Sequence, residues 1–209
     1  SFAPRSVGGS ALWSQPLDVA AIKTVLKTFL DNGGKVVDVL HGGPAGERAG
    51  RTAARELGIQ DTFFWTTPLS VTIPTLPGYA GAPLKPDAAA VRAAMEEKLA
   101  TFKVPGIDLV MVSSGADMST HLSVLREMKK EGRVRYIGVH HLAFPPNAPM
   151  PPFGPLESIM RNEQIDFIGT DYSAGDRRLE ETILPLAQER KIGVMAYFPF
   201  DRRRIFQRA

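Results

Sequence analysis

Cysteine is absent from the 209 residues. Disulfides, thiolate nucleophiles and Cys-based zinc or iron–sulfur centres are therefore excluded. No apolar run approaches the roughly 20 residues of a membrane span, and no secretory leader pattern is visible. A soluble protein, cytoplasmic by default, is the expectation. The chain opens abruptly on Ser1-Phe2-Ala3-Pro4, as a processed or trimmed product would. Charge of one sign is also scarce. The formal net charge is +3, and the dense basic run is confined to Arg202-Arg203-Arg204. No basic–aromatic interleaving or reader motif accompanies it, so nucleic acid is not an expected partner. No Gly-x-Gly-x-x-Gly follows the first strand pattern, which argues against a dinucleotide-binding Rossmann half.

What is present is alternation. Short β-branched runs at 5–12, 35–40, 62–67, 107–113, 134–139, 165–171 and 193–197 read as buried parallel strands. Helical patterns fall between them. Residues 19–32 carry Val19, Ile22, Val25, Leu26, Phe29 and Leu30 three and four apart, with Asp18 as N-cap and Gly33-Gly34 as terminator. Further helices are expected at 47–57, 87–102, 120–131, 156–162 and 179–191. Strand–helix alternation with short connections means βαβ units on a parallel sheet. Seven strands are many for an open sheet. A single (β/α)8 TIM barrel over 1–209 fits better, with the last strand and its helices missing from this chain. Two long connections stand out. Residues 68–86 carry five prolines and read as a lid, and 142–155 carry six prolines.

In such a barrel the chemistry sits at the C-terminal ends of the strands. Those ends offer Trp13, Asp38 with His41, Thr67, Ser113 with Ser114, His140 with His141, Asp171 with Tyr172, and Tyr197. Asp38 closes a strand, and His41 follows in a Gly-rich loop that could swing it inward. An imidazole works as acid or base at neutral pH. Of the adjacent pair His140 and His141, one should face the mouth and the other pack or cap the next loop. His121, opening a helix, reads as a surface residue.

Four stretches resemble the aldo-keto reductase family: VVDVLHGGPAGERAG, PGIDLVMVSS, LREMKKEGRVRYIGVHH and RRLEETILPLAQERKIGVMAYFPF. The third is the most specific. The resemblance covers nearly the whole chain and implies an NADP(H)-dependent (β/α)8 barrel acting on a small carbonyl or alcohol. It also implies four catalytic roles. The family Asp matches Asp38. The proton-donating Tyr falls on Gly43, with Glu47 anchoring the register. The Lys that tunes it falls on Thr66-Thr67, and the substrate-orienting His on Ser113. Three of four roles are therefore missing. On the cofactor side, His140 and His141 replace a Ser-Asn pair at the nicotinamide carboxamide, and Gly169 replaces a Gln. Tyr197 stands where an aromatic stacks on the nicotinamide, and Arg202 where the pyrophosphate binds. The substrate side is left with Trp13, Thr67, Ser113 and His140.

Three functions remain open at this point. The first is an aldo-keto reductase-like oxidoreductase with Asp38 and His41 as an atypical catalytic pair. The second is a catalytically silent binding or assembly protein on the same fold. The third is a non-redox, metal-assisted lyase or hydrolase, with Asp38, His41, His140, His141 and Asp171 around one cation.

Overall fold

The computed structural model describes residues 6–7, 18–39, 43–69, 71, 85–142 and 150–200. Seven strands lie in one sheet, all neighbours parallel, in the order β1 to β7. They are β1 (Ser6–Val7), β2 (Val36–Asp38), β3 (Phe64–Leu69), β4 (Ile107–Ser113), β5 (Val134–His141), β6 (Phe167–Asp171) and β7 (Gly193–Tyr197). The helices between them are α1 (Val19–Asp31), α2 (Gly43–Glu56), α3 (Ala88–Phe102), α4 (Met118–Lys130), α5 (Gly154–Asn162) and α6 (Ile183–Arg190).

The sheet is rolled. Strands in a sheet are about 4.8 Å apart, so β3 and β6 in a flat sheet would be separated by about 14 Å. Instead the Phe64 and Phe167 ring centroids are 6.1 Å apart, with Tyr136 of β5 at 5.9 Å from the first and 5.5 Å from the second. The Tyr197 phenol of β7 also lies close enough to Asp38 of β2, five strand spacings away, to feel its charge. The architecture is therefore a truncated barrel: seven parallel strands in a curled sheet, with no β7–β1 pairing among the described residues.

The outward faces carry the helices. Val110, Val112, Ile137, Val139 and Ile168 pack against Val91, Met95, Leu122, Leu125 and Leu156. Val37, Val39 and Trp65 pack against Ile22 and Leu26 of α1. Each such aliphatic chain contributes about 1.5–3 kcal/mol on burial. Local chemistry sets the helix starts. The Asp18 carboxylate accepts from the Ala20 and Ala21 amides at 2.9 and 3.1 Å, and Asp87 accepts from Ala90 at 2.7 Å.

Three of the differences from the boundaries read in the sequence bear on the site. The second helix starts at Gly43, four residues before Glu47, because Gly43 takes a φ of +60° and turns the loop straight into Pro44. β3 runs on to Leu69, so the start of the 68–86 segment belongs to the sheet. The helix expected at 179–191 divides into a 3-10 turn, Arg178–Glu180, and α6.

Candidate functional site

Side chains alternate along each strand, so one parity enters the barrel and the other meets the helices. The aromatic floor fixes the inward set: Phe64, Tyr136 and Phe167. Counting up by twos gives Thr66 and Pro68 on β3, Gly138 and His140 on β5, and Gly169 and Asp171 on β6. On β4 the same parity gives Leu109, Met111 and Ser113. A Cβ built on Gly138 would lie 2.4 Å from Met111 Sδ and 3.2 Å from Leu109 Cδ1, so those side chains fill the barrel at mid-height. Above them the C-terminal mouth presents Asp38, Ser113, His140, Asp171 and Tyr197.

Asp38 is buried, at 7% exposure, beneath two hydroxyls. Thr66, its partner in register, donates from Oγ1 to Asp38 Oδ1 at 2.5 Å. The Tyr197 phenol approaches the carboxylate from the other side of the barrel. Burial, and then the neighbouring Asp38 carboxylate, hold that phenol well above its ordinary pKa. The Tyr197 ring lies on Gly169, where an added Cβ would be 2.5 Å from Cε2. The ring is thus enclosed within the barrel, and its hydroxyl is a weakly acidic one.

Thr67, expected to touch substrate, belongs to the opposite parity. It is fully buried on the helix side, where Arg51 Nη2 of α2 donates to its Oγ1 at 2.8 Å. The inward threonine is Thr66. Arg51 was not anticipated. It is 2% exposed, with its guanidinium carbon 4.7 Å from the Trp65 ring centre and 4.3 Å from that of Phe102. Beside it Lys98 donates to the buried Glu47 carboxylate at 2.8 Å. Burial lowers the Arg51 pKa to about 10, so it remains charged at neutral pH.

The two adjacent histidines face opposite ways. His140 follows the inward parity, is half-buried, and pairs in register with Ser113 and Gly169. His141 points outward. Its Nδ1 lies 2.7 Å from Ser114 Oγ, its Nε2 lies 3.3 Å from the Pro151 carbonyl oxygen, and Phe153 packs on the ring at 5.8 Å. It is turned away from the mouth and cannot share a ligand there with His140. His121 is buried in α4, not on the surface, with Nδ1 2.7 Å from the Asp117 carbonyl oxygen.

Burial lowers the His141 pKa from 6.5. The unfolded chain then binds a proton at this residue that the folded chain refuses. Stability should therefore fall as pH drops below about 6.5, the unfolded value. Urea midpoints measured between about pH 7 and 5 check this, and His141→Gln should lose part of that pH dependence.

Trp13, His41 and Arg202 lie outside the described residues, as do 72–84 of the proposed lid and 143–149 of the second Pro-rich loop. Among the described residues no group of three or more His, Asp or Glu could hold a metal ion. No helix is long and apolar enough to cross a membrane.

No family model matches the chain. Solved structures do. An aldo-keto reductase from Bacillus halodurans in its holo form superposes with a TM-score of 0.72 at 23% identity, over 94% of this chain and 62% of its own. The fold is that of the aldo-keto reductases. A glycerol dehydrogenase from Gluconobacter oxydans matches with a TM-score of 0.72 at 20% identity, over 95% of this chain and 60% of its own. An aldo-keto reductase from Klebsiella pneumoniae, solved in complex with NADPH, matches with a TM-score of 0.71 at 18% identity, over 95% of this chain and 64% of its own. The chain thus spans about three fifths of the length of these structures.

The geometry of the mouth bears on the positions that the resemblance singles out. At Gly43, where the resemblance places the acidic tyrosine, the positive φ strains any L side chain by about 1–2 kcal/mol. Where the resemblance places the lysine, the inward Thr66 hydroxyl already serves Asp38. Ser113 is half-buried at the mouth beside His140.

Proposed function

We propose that this chain is the barrel of an NADP(H)-dependent oxidoreductase that interconverts small carbonyls and alcohols, with an atypical proton donor. The observation that carries the reading is His140, a half-buried imidazole on the inward face of the mouth next to Ser113. The residues fit one end of the cofactor. The Ser113 hydroxyl and His140 imidazole lie on neighbouring strands and would hold the nicotinamide amide. Tyr197 does not fit a stacking role, since its ring is enclosed on Gly169. NADPH supplies a hydride when bound. The chain must then deliver a proton to the new alkoxide. Asp38 and Tyr197 are poorly suited to this, because a phenolate would form beside a carboxylate. His140 is the group placed to pass a proton at the mouth, with His41 the other candidate.

Titration of the chain with NADPH, followed by cofactor fluorescence, tests the proposal. Saturable binding that weakens in Ser113→Ala is expected. With an aldehyde panel, His140→Asn should lower turnover about 100-fold, the scale of a lost general acid. Absence of binding at millimolar NADPH would overturn the reading. A second reading, a silent binding protein, is favoured by the hydroxyl-capped Asp38. Binding without any turnover would select it.

A further inference from the structure

The pair Ser114 and His141 has no part in the mouth chemistry above, yet its parts are those of an activated nucleophile. Ser114 stands just past the end of β4, half-buried, with the exposed Gly115 beside it. Its Oγ is 2.7 Å from His141 Nδ1. The far nitrogen, Nε2, lies 3.3 Å from the Pro151 carbonyl oxygen. A carbonyl only accepts, so this contact places the ring proton on Nε2 and leaves Nδ1 as the acceptor for the serine proton. Phe153 packs on the imidazole and restricts its rotation. Nucleophile, base and a third group that orients the base are therefore in sequence, the arrangement that activates a hydroxyl. Burial keeps the imidazole neutral, the form a base requires. The Gly115 amide makes a 3.4 Å contact to Ser113 Oγ, too long to commit it fully, and is available to a developing oxyanion.

We propose that Ser114 and His141 form a second, non-redox site that is acylated by small activated esters and hydrolyses them. Ser114 Oγ attacks the ester carbonyl carbon and passes its proton to His141 Nδ1. The carbonyl electron pair moves to oxygen, next to the Gly115 amide. On collapse the bond to the alkoxy or aryloxy group breaks, and that group leaves with the His141 proton. A water molecule then attacks the acyl-serine with His141 again as base, releasing a carboxylic acid and restoring Ser114. No electrons are exchanged with a cofactor, so the site is independent of NADPH.

An aryl fluorophosphonate tests this on the full chain. Attack by Ser114 forms the oxygen–phosphorus bond and expels fluoride, and intact-mass analysis with peptide mapping finds the adduct. A single adduct on Ser114 is expected, absent in Ser114→Ala and slowed about 100-fold in His141→Gln, the scale of a lost base. p-Nitrophenyl acetate turnover should fall in parallel in both variants. NADPH titration of the same variants separates this result from the fate of the oxidoreductase reading. No adduct on the unsubstituted chain would overturn the proposal. So would an adduct on another serine, or equal labelling of the His141→Gln variant, any of which would leave the pair a loop fastening only.

Discussion

Replacing Arg51 with alanine is expected to destabilise the fold by about 3 kcal/mol, the scale of breaking a buried charged cluster. Three losses add. The guanidinium fills the space between Trp65 and Phe102, and its removal leaves a cavity between two rings that cannot collapse on each other. The Thr67 hydroxyl, fully buried, loses its donor. The buried Glu47 carboxylate keeps Lys98 but loses a second nearby cation. The effect should be separable from charge itself. Arg51→Met refills the slot, and Thr67→Val removes the stranded hydroxyl, so the double variant should return to within about 1 kcal/mol of the parent. Urea unfolding of the parent, Arg51→Ala and the Arg51→Met/Thr67→Val double variant reads this directly. An Arg51→Ala loss below about 0.5 kcal/mol, typical of a surface change, would mean the cluster is solvated and not a core.

That cluster also shows where sequence reading reached and where it stopped. The order of elements was legible because each strand is a short apolar run and each helix has an apolar stripe. The barrel followed from counting them. The orientation of single residues was less accessible. Thr66 and Thr67 look alike in sequence, and only the ladder tells which one enters the barrel. Counting from Trp65, which belongs with the helices, would have placed Thr67 outside. The same parity separates His140 from His141. Arg51 gives no such signal, since it is one of three arginines in GERAGRTAARE, which reads as a solvated helix face; its burial depends on two rings from β3 and α3 meeting over it. His121 poses a similar difficulty: it lies in the first turn of α4 and reads as exposed, but the carbonyl of Asp117 lets its ring be buried. Tyr197 was legible as an aromatic at a strand end. The position of its ring depends on Gly169, over which it lies.

That dependence yields the second large effect. Gly169→Ala is expected to destabilise the protein by about 2 kcal/mol, in the range for overpacking a filled core. The new methyl would sit 2.5 Å from Tyr197 Cε2, 2.9 Å from Met111 Cε and 3.1 Å from Tyr197 Oη. Met111 can yield, because the contact is the far end of a flexible thioether. The tyrosine cannot yield so easily, since its ring is buried within the barrel. Tyr197→Leu removes the obstructing ring edge, so in that background Gly169→Ala should cost less than about 1 kcal/mol. Equal losses in the two backgrounds would mean the ring does not rest on Gly169. Absorbance titration of the phenols supplies an independent reading. In the parent, one of the four tyrosines should ionise well above the others, held protonated by burial and by Asp38. In Gly169→Ala, a ring pushed from the barrel gains water and leaves the carboxylate, so its ionisation should move down toward the ordinary phenol value of about 10. The absence of a side chain on β6 and the inward ring on β7 are then one feature. The same space cannot hold both a long side chain at 169 and a phenol beside Asp38. A variant that introduces the first must release the second toward the mouth.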